Sequence, residues 1–104
     1  MTDMTIATNI IQQMGGFGKI SILTGAKNFV AGANYVAFTI GKGAKNKINK
    51  VKVTLNPQDL YDVEFGREWG TKYTKISGSE SIYNDMLMNE FETATGFFLT
   101  MRSR

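Results

Sequence analysis

The chain has 104 residues, a formal net charge of +3, and neither cysteine nor histidine. Such a length supports one domain with a modest core. Without thiols there is no disulfide framework, which points to a reducing compartment, and without thiolate or imidazole the usual ligands of zinc and haem are missing. The first residues do not pair a basic segment with an apolar run, and no stretch approaches the roughly 20 apolar residues that span a bilayer. A cytoplasmic protein with no membrane partner and no cofactor is therefore expected.

In chain order, Met4, Ala7, Ile10, Ile11 and Met14 recur at three- and four-residue steps behind a cap at Asp3, and Gly15-Gly16 ends the pattern, which predicts an N-terminal helix. Ile20 and Ile22 alternate with Lys19 and Ser21, which predicts a first strand ending near Leu23, followed by a turn over Thr24-Gly25-Ala26-Lys27-Asn28. Val36, Phe38 and Ile40 mark a second strand. Val51, Val53 and Leu55 alternate with Lys50, Lys52 and Thr54, and beyond the turn Asn56-Pro57-Gln58-Asp59 the alternation resumes in Tyr61, Val63 and Phe65. Because Val53 and Val63 must share a face, the connecting loop should be odd in length, with Lys52 across from Asp62 or Glu64.

A loop containing Gly66, Trp69 and Gly70 is expected next, then a short strand from Lys72 to Ile76. Ser77 or Ser79 would cap a second helix, with Ser77 and Glu80 at capping-box spacing, an apolar stripe of Tyr83, Leu87, Phe91 and Ala94 widened by Ile82 and Met86, and Gly96 at its end. Phe97-Phe98-Leu99 adds an edge strand or a packed tail, and residues 101–104 read as a frayed end. The order of elements predicts an α+β fold: one small domain, residues 1–104, in which an antiparallel sheet of four to five strands carries an N-terminal and a C-terminal helix on one face.

The strings Ile11-Gln12-Gln13-Met14-Gly15-Gly16, Thr24-Gly25-Ala26-Lys27-Asn28-Phe29, Lys50-Val51-Lys52-Val53-Thr54-Leu55-Asn56 and Asp62-Val63-Glu64-Phe65 resemble a family of small proteins encoded by tailed phages and prophages. The resemblance implies expression inside an infected bacterium and carries over no catalytic or binding residue. Its general implication is a protein that handles nucleic acid or disarms host machinery.

The segment from Lys42 to Lys52 holds Lys42, Lys45, Lys47, Lys50 and Lys52 without an acid, and its first part, 42–50, reads as a basic flexible loop. Such a cluster suits phosphate contact, with Trp69, Tyr73 or Tyr35 as stacking surfaces; it equally suits a solvated loop that guards a sheet edge. Gly15-Gly16-Phe17-Gly18-Lys19 lacks the longer spacing and the following Ser or Thr of a phosphate loop and is expected to precede a strand rather than a helix, and Gly25 reads as a turn glycine. Asp59, Asp62 and Glu64 form the densest carboxylate group, but lysines on the neighbouring strand suit ion pairing better than a metal or acid–base site. With no histidine to activate a nucleophile, and no spacing that suggests a lysine-activated serine, no enzyme is expected.

Three functional expectations follow. The first is a non-enzymatic accessory protein that binds the nucleic-acid backbone through Lys42, Lys45, Lys47, Lys50 and Lys52, with Trp69 and Tyr73 adding contact surface. The second is an inhibitor of a host bacterial protein that docks through Trp69, Arg67 or an acidic helix bearing Glu80, Asp85, Glu90 and Glu92. The third is an assembly module that forms homo-oligomers through an open sheet edge.

Overall fold

The alternation around Val53 and Val63 builds the centre of the molecule. Strand β3 (Lys50–Leu55) pairs antiparallel with β4 (Tyr61–Trp69), with Val53 opposite Val63 and Lys52 opposite Glu64, so the connection 56–60 is odd in length as the pattern requires. The computed structural model describes residues 5–41 and 43–97, with all side chains there except those of Phe17, Lys19 and Leu23. Strands β1 (Lys27–Ala31), β2 (Tyr35–Thr39) and β5 (Lys72–Ile82) complete a five-stranded antiparallel meander in the order β1-β2-β3-β4-β5.

Three helices cover one face of this sheet: α1 (Thr5–Gln13), α2 (Phe17–Thr24) and α3 (Leu87–Thr95). Ile10, Ile11 and Met14 at the first helix, Ile20 of α2, and Leu87 and Phe91 of α3 are buried with Val36, Phe38, Val51, Val53, Val63 and Phe65 in one core. Phe91 lies between sheet aromatics, its ring centroid 6.5 Å from Phe38 and 6.3 Å from Phe65. The α+β prediction, with a helix layer on one face, therefore holds.

α2 and α3 end with the same device. Thr24 and Thr95, both buried, donate their hydroxyls to the carbonyls of Ile20 (2.6 Å) and Phe91 (2.7 Å) one turn back. The following Gly25 and Gly96 turn left-handed, at φ 71° and 81°, and donate their N–H groups to Ser21 and Glu92. Carbonyls that a helix end leaves open are thereby satisfied without a longer loop.

Several expected elements are corrected. The strand expected over Lys19–Leu23 is helix α2: Ile20 and Thr24, four apart, are buried while Ile22 is 84% exposed, a helical rather than an alternating pattern. The turn expected through Asn28 stops at Ala26, since β1 starts at Lys27. The loop expected around Gly66 is the continuation of β4, and only Gly70 and Thr71 form the turn into β5.

Strand β5 runs on through Ser77, Ser79 and Glu80, where the capping box suggested a helix start; pairing with β4 outweighs that local preference, and α3 begins at Leu87 after a 3₁₀ turn over Asn84–Met86. Tyr83 and Met86, expected in the apolar stripe, are instead exposed, whereas Ile82 is buried at the end of β5. Asp3, Met4, Lys42, Phe98, Leu99 and 101–104 lie outside the described residues.

Strand β5 passes very close to β4 at Gly78, where an added Cβ would lie 2.6 Å from the carbonyl oxygen of Val63. Gly78→Ala is expected to destabilise the fold by about 1–3 kcal/mol, and Phe91→Ala by about 3–5 kcal/mol. Urea unfolding monitored by circular dichroism measures both, and the larger loss should fall at Phe91.

Candidate nucleic-acid interface

An antiparallel meander brings the starts of its odd strands to one end, and here each begins with a lysine: Lys27 in β1, Lys50 in β3 and Lys72 in β5. The β2–β3 connection at that end adds Lys45 and Lys47, and the far part of β4 adds Arg67. Among the described residues of the sheet and its connections, Glu68 is the carboxylate at this end, with Glu92 in the last turn of α3 behind it. The opposite end carries Asp59, Asp62, Glu80 and Asp85, and no lysine or arginine stands in the described segments 31–36, 53–62 or 80–87 that form it. Lys52 and Glu64 occupy the middle, and Lys75, level with Lys50 in register, extends its side chain back toward them past Gly78. The molecule is thus electrically polar along its strands, although its net charge is only +3.

The lysines that are consecutive in sequence have different surroundings. Lys45 donates from Nζ to the carbonyl of Thr93 at 3.3 Å, placing its charge at the C-terminal end of α3, where a cation is favoured by the helix dipole. Lys50 lies 3.9 Å from Glu68, and Lys52 points across the polar face, its Nζ 4.7 Å from the centroid of Tyr35. Lys47 is exposed and lines a groove with Lys27, Asn28, Thr39 and Asn49 over the backbone of Gly41. No carboxylate lines that groove among the described residues.

The connection itself is fastened. Ile48 is buried in the core, Ile40 donates its N–H to the carbonyl of Asn49, and Gly41 donates to Thr24 at 2.7 Å. Asn49 then copies a strand residue with its side chain: Oδ1 accepts from the N–H of Glu68 at 2.7 Å and Nδ2 donates to the carbonyl of Glu68 at 2.8 Å. The ladder between β3 and β4, which ends at Lys50 and Gly66, is in this way extended by one more pair of bonds into the projecting β4–β5 hairpin.

Trp69 stands near the tip of that hairpin, opposite Lys72, and is 67% exposed with the Arg67 guanidinium 5.7 Å from its ring centroid. Tyr73 is on the polar face, where its ring covers Gly66 and its hydroxyl donates to Glu64 at 2.6 Å. Partial burial, then the bond to and charge of Glu64, with Glu68 adding, raise the phenol pKa above its ordinary value, so Tyr73 stays protonated at neutral pH. Its polar atom is therefore already committed, unlike the indole at the tip.

The acidic helix does not exist as one surface. Glu80 is in strand β5 and Asp85 in the 3₁₀ turn; α3 carries Glu90, which accepts from the Ser79 hydroxyl at 3.0 Å, and Glu92. Asp62 accepts from the Asn56 side chain at 3.1 Å and from the Ser81 N–H at 2.9 Å, so it is occupied in tying the β3–β4 turn to the end of β5. Among the described residues no group of three carboxylates could hold a metal ion, and no helix is long and apolar enough to cross a membrane.

Lys27 and Lys72 were not singled out by the sequence, because each is isolated along the chain; strand order is the signal that gathers them. No family model, curated protein or solved structure matches the chain.

Asn49→Ala removes both side-chain bonds to Glu68 and should free the hairpin tip while leaving the core intact. The expected loss is on the order of 1–2 kcal/mol. Amide exchange at Glu68 and Trp69 should speed up, with exchange at Val51 and Val63 hastened only by the loss of global stability.

Proposed function

We propose that this is a non-enzymatic accessory protein that binds the backbone of nucleic acid through the basic end of its sheet. The observation that supports the reading is the charge segregation: Lys27, Lys47, Lys50, Arg67 and Lys72 stand at the end opposite Asp59, Asp62, Glu80 and Asp85. A polyanion approaching such a molecule is oriented before contact, since the field attracts at one end and repels at the other. On contact, each lysine that meets a phosphate releases condensed counterions, which favours binding whatever the base sequence. The groove of Lys27 and Lys47 adds the amides of Asn28 and Asn49 and the hydroxyl of Thr39 as hydrogen-bonding groups beside the charges.

The polar sheet face is a poorer surface for this purpose. Lys52 and Lys75 there stand beside Asp62, Glu64 and Glu80, so an approaching phosphate meets both signs. In the setting implied by the resemblance to small tailed-phage and prophage proteins, the partner would be nucleic acid in the cytoplasm of an infected bacterium.

Fluorescence anisotropy with labelled DNA and RNA across a salt series tests the reading. Binding should weaken as salt rises, and the paired substitution Lys27→Gln with Lys47→Gln should flatten the log–log salt dependence by about 1–2 units. Lys75→Gln, on the mixed-charge face, should leave the slope nearly unchanged. Absence of binding by any strand at low salt overturns the reading.

A further inference from the structure

Trp69 is the single tryptophan of the chain, yet it takes no part in the core. Two-thirds of its surface is open at 67%, and its recorded ring neighbour is the Arg67 guanidinium. A side chain with so much apolar area usually earns its place by burial, within the fold or against a partner. The tip that carries it is held in position rather than left to swing: Asn49 binds the backbone of Glu68 beside it, Tyr73 covers Gly66, and Gly70 turns the chain at φ 62°. Lys72 stands across the hairpin from it, and Asn49, bonded to Glu68 beside it, also lines the groove of Lys27 and Lys47.

We infer that Trp69 is a base-stacking platform and that the nucleic acid bound at the basic end is single-stranded. The inference rests on the proposed backbone binding and adds the class of strand. An exposed indole offers a flat apolar face that any unpaired base can cover, and a guanidinium beside it supports such stacking. In a duplex the base faces are already stacked on one another, so this contact is open only to unpaired nucleotides. A backbone held by lysines on one side of the tip places successive bases within reach of a ring whose orientation is set in advance, which lowers the ordering cost of the contact.

Because Trp69 is the one indole present, its own emission reports the contact. The experiment titrates the full chain with a short oligothymidylate, the abasic strand of equal length, and the duplex formed with oligoadenylate, following both tryptophan fluorescence and anisotropy. Oligothymidylate should bind tightest and quench the emission, while the abasic strand should bind more weakly without quenching. Trp69→Ala should weaken oligothymidylate binding about 5- to 100-fold, to the level of the abasic strand, with the salt slope retained. Trp69→Phe should recover part of the loss, which separates stacking from any effect of truncating the hairpin tip.

Equal affinity for oligothymidylate and the abasic strand, or tighter binding of the duplex, overturns the stacking assignment and leaves backbone binding standing. Failure of all three ligands to bind at low salt overturns both.

Discussion

The register of the central hairpin governs everything that lies to either side of it, and Asn56 fixes that register. Its side-chain oxygen accepts from the N–H groups of Gln58 (2.9 Å) and Leu60 (3.1 Å), its N–H donates to the Leu60 carbonyl, and its amide nitrogen reaches Asp62 and Ser81. One residue thus closes the turn and ties it to β5. A slip of one position would send Val51 and Val53 into solvent and Lys50 and Lys52 into the core. With Val53 held opposite Val63, the apolar faces of β2, β3 and β4 coincide, and the helices have a single surface to cover.

The same register sets the electrostatics. In a meander, position along the chain converts into position along the sheet axis with alternating direction, so residues that open β1, β3 and β5 become neighbours at one end while the β3–β4 turn and the end of β5 meet at the other. Lysines open the odd strands, and acids lie at the turn and near the close of β5. Each charge alone is an ordinary surface residue; together they give a field with direction. Pairing within the sheet removes little of it at the basic end, where Lys50 with Glu68 is half-exposed and 3.9 Å apart.

Sequence patterning reveals the parts of this fold in which local and tertiary preferences agree. The first helix, β2, the β3–β4 hairpin and the Gly96 stop are of that kind. Helix α2 is not, because four apolar residues within eight fit either period, and the signal that decides, Thr24 followed by Gly25, is the same one that marks the end of α3 at Thr95 and Gly96. Ser77 and Glu80 match a helix start in spacing, but Gly78 between them allows the close approach to Val63 that keeps the segment in the sheet. For the interface, the lysine run is visible in the sequence while its division is not: Lys45 is drawn to α3, Lys52 to Tyr35, and Lys47 joins Lys27, twenty residues away in the chain, only once β1 and the β2–β3 connection are placed.

The edges of the sheet bear on where partners can attach. An open edge invites another strand unless it is interrupted, and β-bulges are a common interruption. β1 is irregular between Lys27 and Val30, with Asn28 at φ 58°, and β5 shifts register against β4 twice, with Ser81 at φ 55°. Both outer strands therefore present broken rows of backbone donors and acceptors, which disfavours continuous strand addition. The helix-covered face is spent on the core, and the polar face balances Lys52 and Lys75 with Asp62, Glu64 and Glu80. The two ends remain unbalanced: the acidic one, where Tyr83 and Met86 are exposed beside Asp85, and the basic one, where the groove of Lys27 and Lys47 and the open indole of Trp69 combine positive charge with apolar surface.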